Sequence, residues 1–186
     1  MEGNILANKS AFDRSKTEFY PTPKEVTIAL LNYLNIPKDK IIWEPACGEG
    51  HMAEVMKDEG YKVVSSDLND MGYGVTGIDY VSSKLYECDW IITNPPFKLS
   101  VDFINQSIKH KKPFALLLKS QYWHSKSRIK LFNEFKPQTI LSLTWRPDFL
   151  FGAKSSSPTM ECLWTVWGNE PAKYTTYQLL EKPKLK

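Results

Sequence analysis

Among the 186 residues of this chain, the tetrapeptide Asn94-Pro95-Pro96-Phe97 holds the residue types that most clearly add up to chemistry. It follows the apolar run Trp90-Ile91-Ile92-Thr93. Two consecutive prolines cannot continue a strand, because neither has an N–H and both fix φ. The segment is therefore a rigid turn projecting from a sheet edge. From such a turn the Asn94 side-chain oxygen and the Pro95 carbonyl can accept two hydrogens from one amino group. An aniline-like exocyclic amine is a poor nucleophile, since its lone pair is delocalised into the ring. Two acceptors set off the ring plane favour a pyramidal nitrogen whose lone pair can attack an electrophile. Phe97 adds a face on which a planar base can stack. The plainer reading is a loop turn that happens to carry an asparagine.

Other residues could bind what such chemistry needs. In Glu44-Pro45-Ala46-Cys47-Gly48-Glu49-Gly50, Gly48 and Gly50 allow φ > 0 and close approach of the backbone to a ligand. The helix that follows offers unpaired N–H groups to a carboxylate or an electron-rich edge. This is not the GxGxxG fingerprint, so no pyrophosphate is implied. Asp67 closes the next apolar run, where an acidic side chain binds ribose hydroxyls in nucleotide-binding sheets. Its alternative role is a turn cap. Glu44, at a strand end, needs a ligand ammonium or a backbone N–H as partner if buried. Cys47 reads as a small packed residue rather than a nucleophile. Tyr122, Trp123, Trp145 and Phe149 lie just past strand ends, as base-stacking platforms or as core. Lys119 and Arg146 are candidate phosphate contacts or ordinary surface charge. Residues 152–158, small and polar, read as a loop that closes over nucleic acid or simply as a hairpin loop.

Strand-like and helix-like segments alternate along the chain and must position these groups. Strands are expected at 41–43, 62–66, 90–93, 114–118, 140–143 and 162–167, with helices at 51–59, 101–109 and 127–135. Thr22-Pro23-Lys24-Glu25 reads as a capping box with proline at the first helical position. Val26, Ala29, Leu30, Tyr33 and Leu34 then fall on one helical face. The pattern predicts a mainly parallel sheet with helices on both faces, and a site at the carboxyl ends of its strands. Residues 1–18 read as a flexible arm, 19–172 as one domain and 173–186 as a basic tail.

Composition narrows the class. The chain is 42% hydrophobic and 24% charged, ordinary for a globular protein. It has no run of apolar residues long enough to span a bilayer, and its first twenty residues lack a signal peptide's apolar core. The three cysteines are widely spaced without a CxxC, and the three histidines share no metal-ligand spacing. A reducing cytoplasm, no membrane and no metal are therefore expected. The net charge of +3 is too small to argue for or against nucleic acid by itself.

Taken in order, these motifs resemble those of S-adenosylmethionine-dependent amino methyltransferases of the NPPY/NPPF type. Phe19-Tyr20-Pro21-Thr22-Pro23 is similar to motif X, residues 44–50 to motif I, Ser66-Asp67-Leu68 to motif II, Gly77-Ile78-Asp79-Tyr80 to motif III, and Asn94-Pro95-Pro96-Phe97 to motif IV. Residues 128–132 and Arg146-Pro147-Asp148-Phe149 look like the downstream half of compact, phage-type DNA adenine-N6 methyltransferases. The resemblance implies a single Rossmann-like α/β domain, with a mainly parallel seven-stranded sheet and an antiparallel strand near the C-terminus. It implies S-adenosylmethionine as cofactor, held by Tyr20, Thr22, Glu44, Ala46, Cys47, Gly48, Asp67, Leu68, Asp79, Tyr80 and Asn94. Asp79 would accept from the cofactor's adenine amino group, with Tyr80 against the ring. Asn94, Pro95, Pro96 and Phe97 would form the catalytic turn, acting on N6 of adenine in DNA. NPPF also resembles motifs of RNA base methyltransferases and of enzymes that methylate protein glutamine, and the motif alone does not separate them. A non-catalytic cofactor- or nucleic-acid-binding module is the rival of another class. No long segment remains for target recognition, so sequence choice would come from loops, a homodimer or a separate specificity subunit.

Overall fold

The computed structural model describes residues 20–149 and 160–185. Four helices and seven strands follow in the order α1 (Lys24–Leu34), β1 (Ile41–Glu44), α2 (His51–Asp58), β2 (Lys62–Ser65), β3 (Trp90–Thr93), α3 (Ser100–His110), β4 (Phe114–Lys119), α4 (Ile129–Glu134), β5 (Thr139–Leu143), β6 (Cys162–Trp167) and β7 (Thr176–Leu180) among the described residues. They build one sheet of order β2-β1-β3-β4-β6-β5-β7. Every pairing is parallel except those of β6, which is inserted antiparallel between β4 and β5. This is the Rossmann-like sheet expected, with its antiparallel strand near the C-terminus.

The side-chain period of two sends alternate strand residues to opposite faces. Ile42, Ile92, Ala115, Leu117 and Trp164 pack with Val26 and Leu30 of α1 and with Met52 and Met56 of α2. Trp43, Ile91, Leu116, Leu118 and Leu163 pack with Phe103 and Ile104 of α3, against which Leu131 of α4 also rests. Helices therefore cover both faces, which is why central β4 and β6 are apolar almost throughout. Among the described residues no helix is long and apolar enough to cross a membrane.

Two expectations are corrected. The capping box does not form: α1 starts at Lys24 after Pro23, without a side-chain cap. The Pro23 carbonyl takes the Val26 N–H at 3.0 Å, and the Thr22 hydroxyl is used elsewhere. The basic tail contains β7, paired in parallel with β5 from Thr139↔Thr176 to Leu143↔Leu180. Four of its five residues are exposed, so no alternation of apolar and polar side chains marks it in the sequence. The 1–18 arm and the 152–158 loop lie outside the described residues.

The order of the sheet fixes the place of the site. From β1 the chain winds outward through α2 to β2, then returns across β1 to start β3 on its other side. The crevice at that reversal, outside the carboxyl ends of β1 and β3, is where open α/β sheets bind ligands.

Candidate active site

A cavity of about 580 Å³ opens at this crevice, within the usual size of small-molecule sites. Every residue assigned from the sequence to the cofactor lines it, together with Pro95 and Pro96. Phe97 stands beside it, its ring 5.6 Å from that of Tyr20.

Asn94 is the first residue past β3, and the two prolines carry the chain away from the sheet into a short 3-10 turn, Phe97–Leu99. Its amide nitrogen donates to the Tyr20 carbonyl at 3.1 Å and to the Thr22 hydroxyl at 3.0 Å. The Tyr20 carbonyl can only accept, so the NH₂ end of the amide must face residues 20–22. The other end, Oδ1, is buried with no hydrogen-bond partner. A buried acceptor left unmatched costs about 1–3 kcal/mol, and at a cavity wall it is available to a donor that arrives from outside. This also explains the missing helix cap, because the Thr22 hydroxyl is committed to Asn94.

The loop after β1 is drawn tight against β2. Cys47 N–H donates to the Ser66 carbonyl at 3.0 Å, and Gly48 N–H donates to Asp67 Oδ2 at 2.9 Å. Asp67 Oδ1 accepts from Asn69 N–H at 2.8 Å. Asp67 is thus a turn cap as well as a clamp on the glycine loop, and its carboxylate keeps lone pairs for further donors. Gly48 and Gly50 adopt φ of 52° and 87°. At Gly50 there is a second reason for glycine: a Cβ would sit 2.5 Å from the Tyr73 ring. Lys57 donates to the Tyr73 hydroxyl at 2.6 Å, and that hydroxyl donates to Glu54, so α2 pins the ring over the loop. No motif pointed to Tyr73. The signal available was the cluster of glycines at 72, 74 and 77, all with positive φ, marking a tightly turned segment.

At the cavity floor, Glu44 is 2% exposed and its Oε2 has no hydrogen-bond partner. Burial holds its carboxyl well above the usual carboxylate range; a hydrogen bond from the Ala53 backbone only partly offsets this, and the Asp67 charge reinforces it. Burial, with the Glu44 and Asp67 charges, likewise pushes the Cys47 thiol up to about 12. Cys47 is therefore a packed thiol and not a nucleophile.

The remaining candidates divide between the cavity, the core and the surface. Tyr80 touches the cavity but is 2% exposed, its hydroxyl bonded to Ser107 Oγ at 2.6 Å and its ring packed on Trp43 and Phe103. It is a wall shared by the core and the cavity. Asp79 is exposed, and its oxygens accept from Val81 N–H at 3.1 Å and from the Ser82 hydroxyl at 2.8 Å, closing its own turn. Leu68 is 56% exposed at the rim. Of the strand-end aromatics, Tyr122 and Phe149 are buried. Trp123 donates to Thr165 Oγ1 at 3.2 Å, and Trp145 packs against the core. Phe149 sets its edge against Tyr20 at 6.0 Å, so Tyr20 lies between Phe97 and Phe149. Lys119 Nζ lies over the Phe97 ring at 4.7 Å, while Arg146 is paired with Glu161 at 2.8 Å. Among the described residues no group of three His, Cys, Asp or Glu side chains could hold a metal ion.

No family model matches the chain. Over 76 residues it is 33% identical to Type II methyltransferase M.EcoRI of Escherichia coli, a stretch that is 39% of this chain and 23% of that protein. Among solved structures it is similar to the type I restriction-modification system methyltransferase subunit from Streptococcus thermophilus, with a TM-score of 0.59 at 12% identity, covering 83% of this chain and 45% of that one. It is also similar to a dimethyladenosine transferase from Plasmodium falciparum, with a TM-score of 0.53 at 14% identity over 83% of this chain and 64% of that one. The chain thus spans less than two thirds of each of these relatives. At such identities the structural likeness is one of fold, and that fold is the seven-stranded, Rossmann-like sheet.

Proposed function

We propose that this protein transfers a methyl group from S-adenosylmethionine to the exocyclic N6 amino group of adenine in DNA. The observation that carries the reading is Asn94 Oδ1, a buried acceptor without a partner, held in one orientation at the wall of the strand-end cavity. The residues present fit the cofactor. Beside the glycine loop the cavity is lined by three acidic side chains, Glu44, Asp67 and Asp79, the first with an unmatched buried oxygen, and by a clamped loop backbone. When bound, S-adenosylmethionine supplies a methyl group on a positively charged sulfur, an electrophile that needs only an aligned nucleophile. In this reading Asp67 accepts ribose hydroxyls while holding Gly48, and Glu44 ionises as it meets the ammonium group.

The rest of the work is orientation. Asn94 Oδ1 and the Pro95 carbonyl accept the two amine hydrogens and draw the nitrogen out of conjugation, with Phe97 beneath the base. Proximity and preorganised acceptors supply the rate, without a covalent enzyme intermediate. The proton released from the amine leaves to water. For duplex DNA the base must first leave the stack, at a cost of a few kcal/mol. The partial sequence likeness to M.EcoRI supports DNA as the substrate class. The resemblance of NPPF and of the downstream motifs supports adenine.

Incubating purified protein with labelled S-adenosylmethionine and separate pools of DNA, RNA and protein tests this reading. Label in DNA, recovered as N6-methyladenine after digestion, is the expected result. Label confined to RNA or to protein glutamine would keep the chemistry and overturn the substrate. No label in any pool, with no cofactor binding by calorimetry, would overturn both.

A further inference from the structure

The charge at the carboxyl edge of the sheet changes sign across the Asn94-Pro95-Pro96-Phe97 turn. On the β1 and β2 side the cavity is lined by Glu44, Asp67 and Asp79. On the other side of β3 stands β4, and the chain leaving it carries cations. Lys119, the last residue of β4, is exposed, and its Nζ lies over the Phe97 ring at 4.7 Å. Arg128 closes the second of two short 3-10 turns that follow, Ser120–Trp123 and Lys126–Arg128, with its guanidinium over the Tyr122 ring at 4.1 Å. Tyr122 is buried in the same cluster as Phe103, which lines the cavity. Neither cation makes an ion pair among the described residues, whereas Arg146, after β5, is neutralised by Glu161. Arg128 Nε is buried without a hydrogen-bond partner, so this donor, like the Asn94 acceptor, is left unmatched by the fold.

We propose that Lys119 and Arg128 bind phosphates of the DNA strand beside the target base, and so set the path of that strand over the end of β4. This rests on the reading of DNA as the substrate and adds where the strand lies. An ammonium on an exposed aromatic face is held more weakly than one in a charge-assisted hydrogen bond to a phosphate oxygen. A base that takes that face of Phe97 displaces the ammonium toward the rim, and the phosphate of the same nucleotide arrives there with it. Arg128, stacked on a buried ring, keeps its planar fork in one orientation, which is the preorganisation that bidentate phosphate binding uses. Asp67 and Asp79 repel the same backbone within a screening length of about 8 Å and keep it off the cofactor side of the cavity. A protein glutamine brings no phosphate, so the pair gives nothing to a peptide substrate.

Fluorescence anisotropy of a short dye-labelled single-stranded DNA of mixed sequence, titrated with the full chain over a series of salt concentrations, reads the contacts. On a single strand each phosphate contact contributes about 0.7 to the slope of log affinity against log salt. Lys119→Met and Arg128→Met keep the aliphatic stem and lose the charge, so each should flatten the slope by about that amount. Lys119→Arg and Arg128→Lys should restore it. Lys62→Met, at the amino end of β2, should leave it unchanged. In methyl transfer to the same DNA, Lys119→Met should raise KM about tenfold with kcat within about twofold, and calorimetric cofactor affinity should not move. Slopes unaltered by both methionine variants overturn the proposal. So does an equal loss in Lys62→Met, or a dependence on these charges seen with RNA of the same sequence and not with DNA. DNA bound with the expected slopes but never methylated overturns the proposed activity and leaves the phosphate contacts standing. DNA methylated by the methionine variants with unchanged KM and slope leaves the activity and overturns the contacts.

Discussion

Replacing Asn94 is the most direct test of the site. Asn94→Ala removes three things: the unmatched Oδ1 and the two bonds that its nitrogen makes to the Tyr20 carbonyl and Thr22 hydroxyl. The last two acceptors line the cavity, where water can replace the lost donor, so the stability cost should stay near about 1 kcal/mol. Loss of one preorganised partner of the reacting group costs about 100- to 1,000-fold in turnover, or about 2.7–4 kcal/mol of barrier. The effect should therefore appear mainly in the rate and only slightly in cofactor affinity. Asn94→Asp is more informative. It keeps an acceptor toward the cavity but sets a second carboxylate oxygen against the Tyr20 carbonyl, which has no proton to offer. When protonated, the same side chain restores that donor. Asn94→Asp should therefore fall between wild type and Asn94→Ala at neutral pH, and approach wild type as pH is lowered through its carboxyl pKa. The assay is single-turnover transfer of labelled methyl to adenine-containing DNA, with calorimetric cofactor binding in parallel. Equal single-turnover rates for wild type and Asn94→Ala would show that the turn is only a turn, and the argument from the unmatched oxygen would fail.

Asp67→Ala removes the clamp on Gly48 and the acceptor proposed for the ribose. Cofactor affinity should drop by about 1–3 kcal/mol, and unchanged calorimetry on the folded variant would cancel that role. Glu44 has its pKa raised in the folded state, so the native protein binds more protons than the unfolded chain above about pH 4. Its contribution is full below the unfolded pKa and is lost as pH rises toward the folded one. Glu44→Gln should flatten that part of the thermal-stability profile and weaken cofactor binding; an unaltered profile would contradict the assignment. Gly50→Ala meets both an unfavourable φ of 87° and the Tyr73 ring, so it should destabilise by about 1–3 kcal/mol in denaturant unfolding. Adding Tyr73→Ala should recover only the collision, and full recovery would mean that the backbone angle is not strained. DNA binding, finally, should fall steeply between low and moderate salt. Indifference to salt would favour a protein substrate.

The sequence shows β1 to β6 because each carries a compact apolar run, and buried parallel strands need one. β7 is hidden for the opposite reason: exposed on both faces and set among lysines, it has no face to pattern. The Asn94-Pro95-Pro96-Phe97 turn is legible because two prolines after an apolar run admit few conformations. Its partners are not, since nothing local ties Asn94 to Tyr20 and Thr22, which lie 74 and 72 residues earlier. The same blindness turned Thr22 into a helix cap, a local role that the distant contact displaced. Tyr80 and Asp79 stand at the cavity, where the motif puts them. Their local partners were not legible: the Tyr80 ring also packs on Trp43 and Phe103, and the Asp79 carboxylate also closes its own turn. The cavity-lining residues Asn69 and Met71, like Tyr73, left no mark beyond the glycines that follow them.

The Asn94 amide has consequences at both of its ends. Its oxygen faces the place proposed for the substrate amine, and its nitrogen is tied to residues 20–22, which line the same cavity as the glycine loop. An amide plane is rigid, so the two ends cannot turn separately. Whatever orders residues 20–22 against the cavity also aims the oxygen, and whatever displaces them releases it. A ligand held by Tyr20 and Thr22 therefore acts on the amine indirectly, by fixing the acceptor before the base arrives. That is the preorganisation that makes a single hydrogen bond worth a hundredfold or more, because the orienting cost is met by the fold and the first ligand rather than in the transition state. It also separates two effects that a simple deletion would merge. Thr22→Val removes a partner of the Asn94 nitrogen and leaves the oxygen in place, so it loosens the aim without removing the acceptor. Its rate should lie between those of wild type and Asn94→Ala.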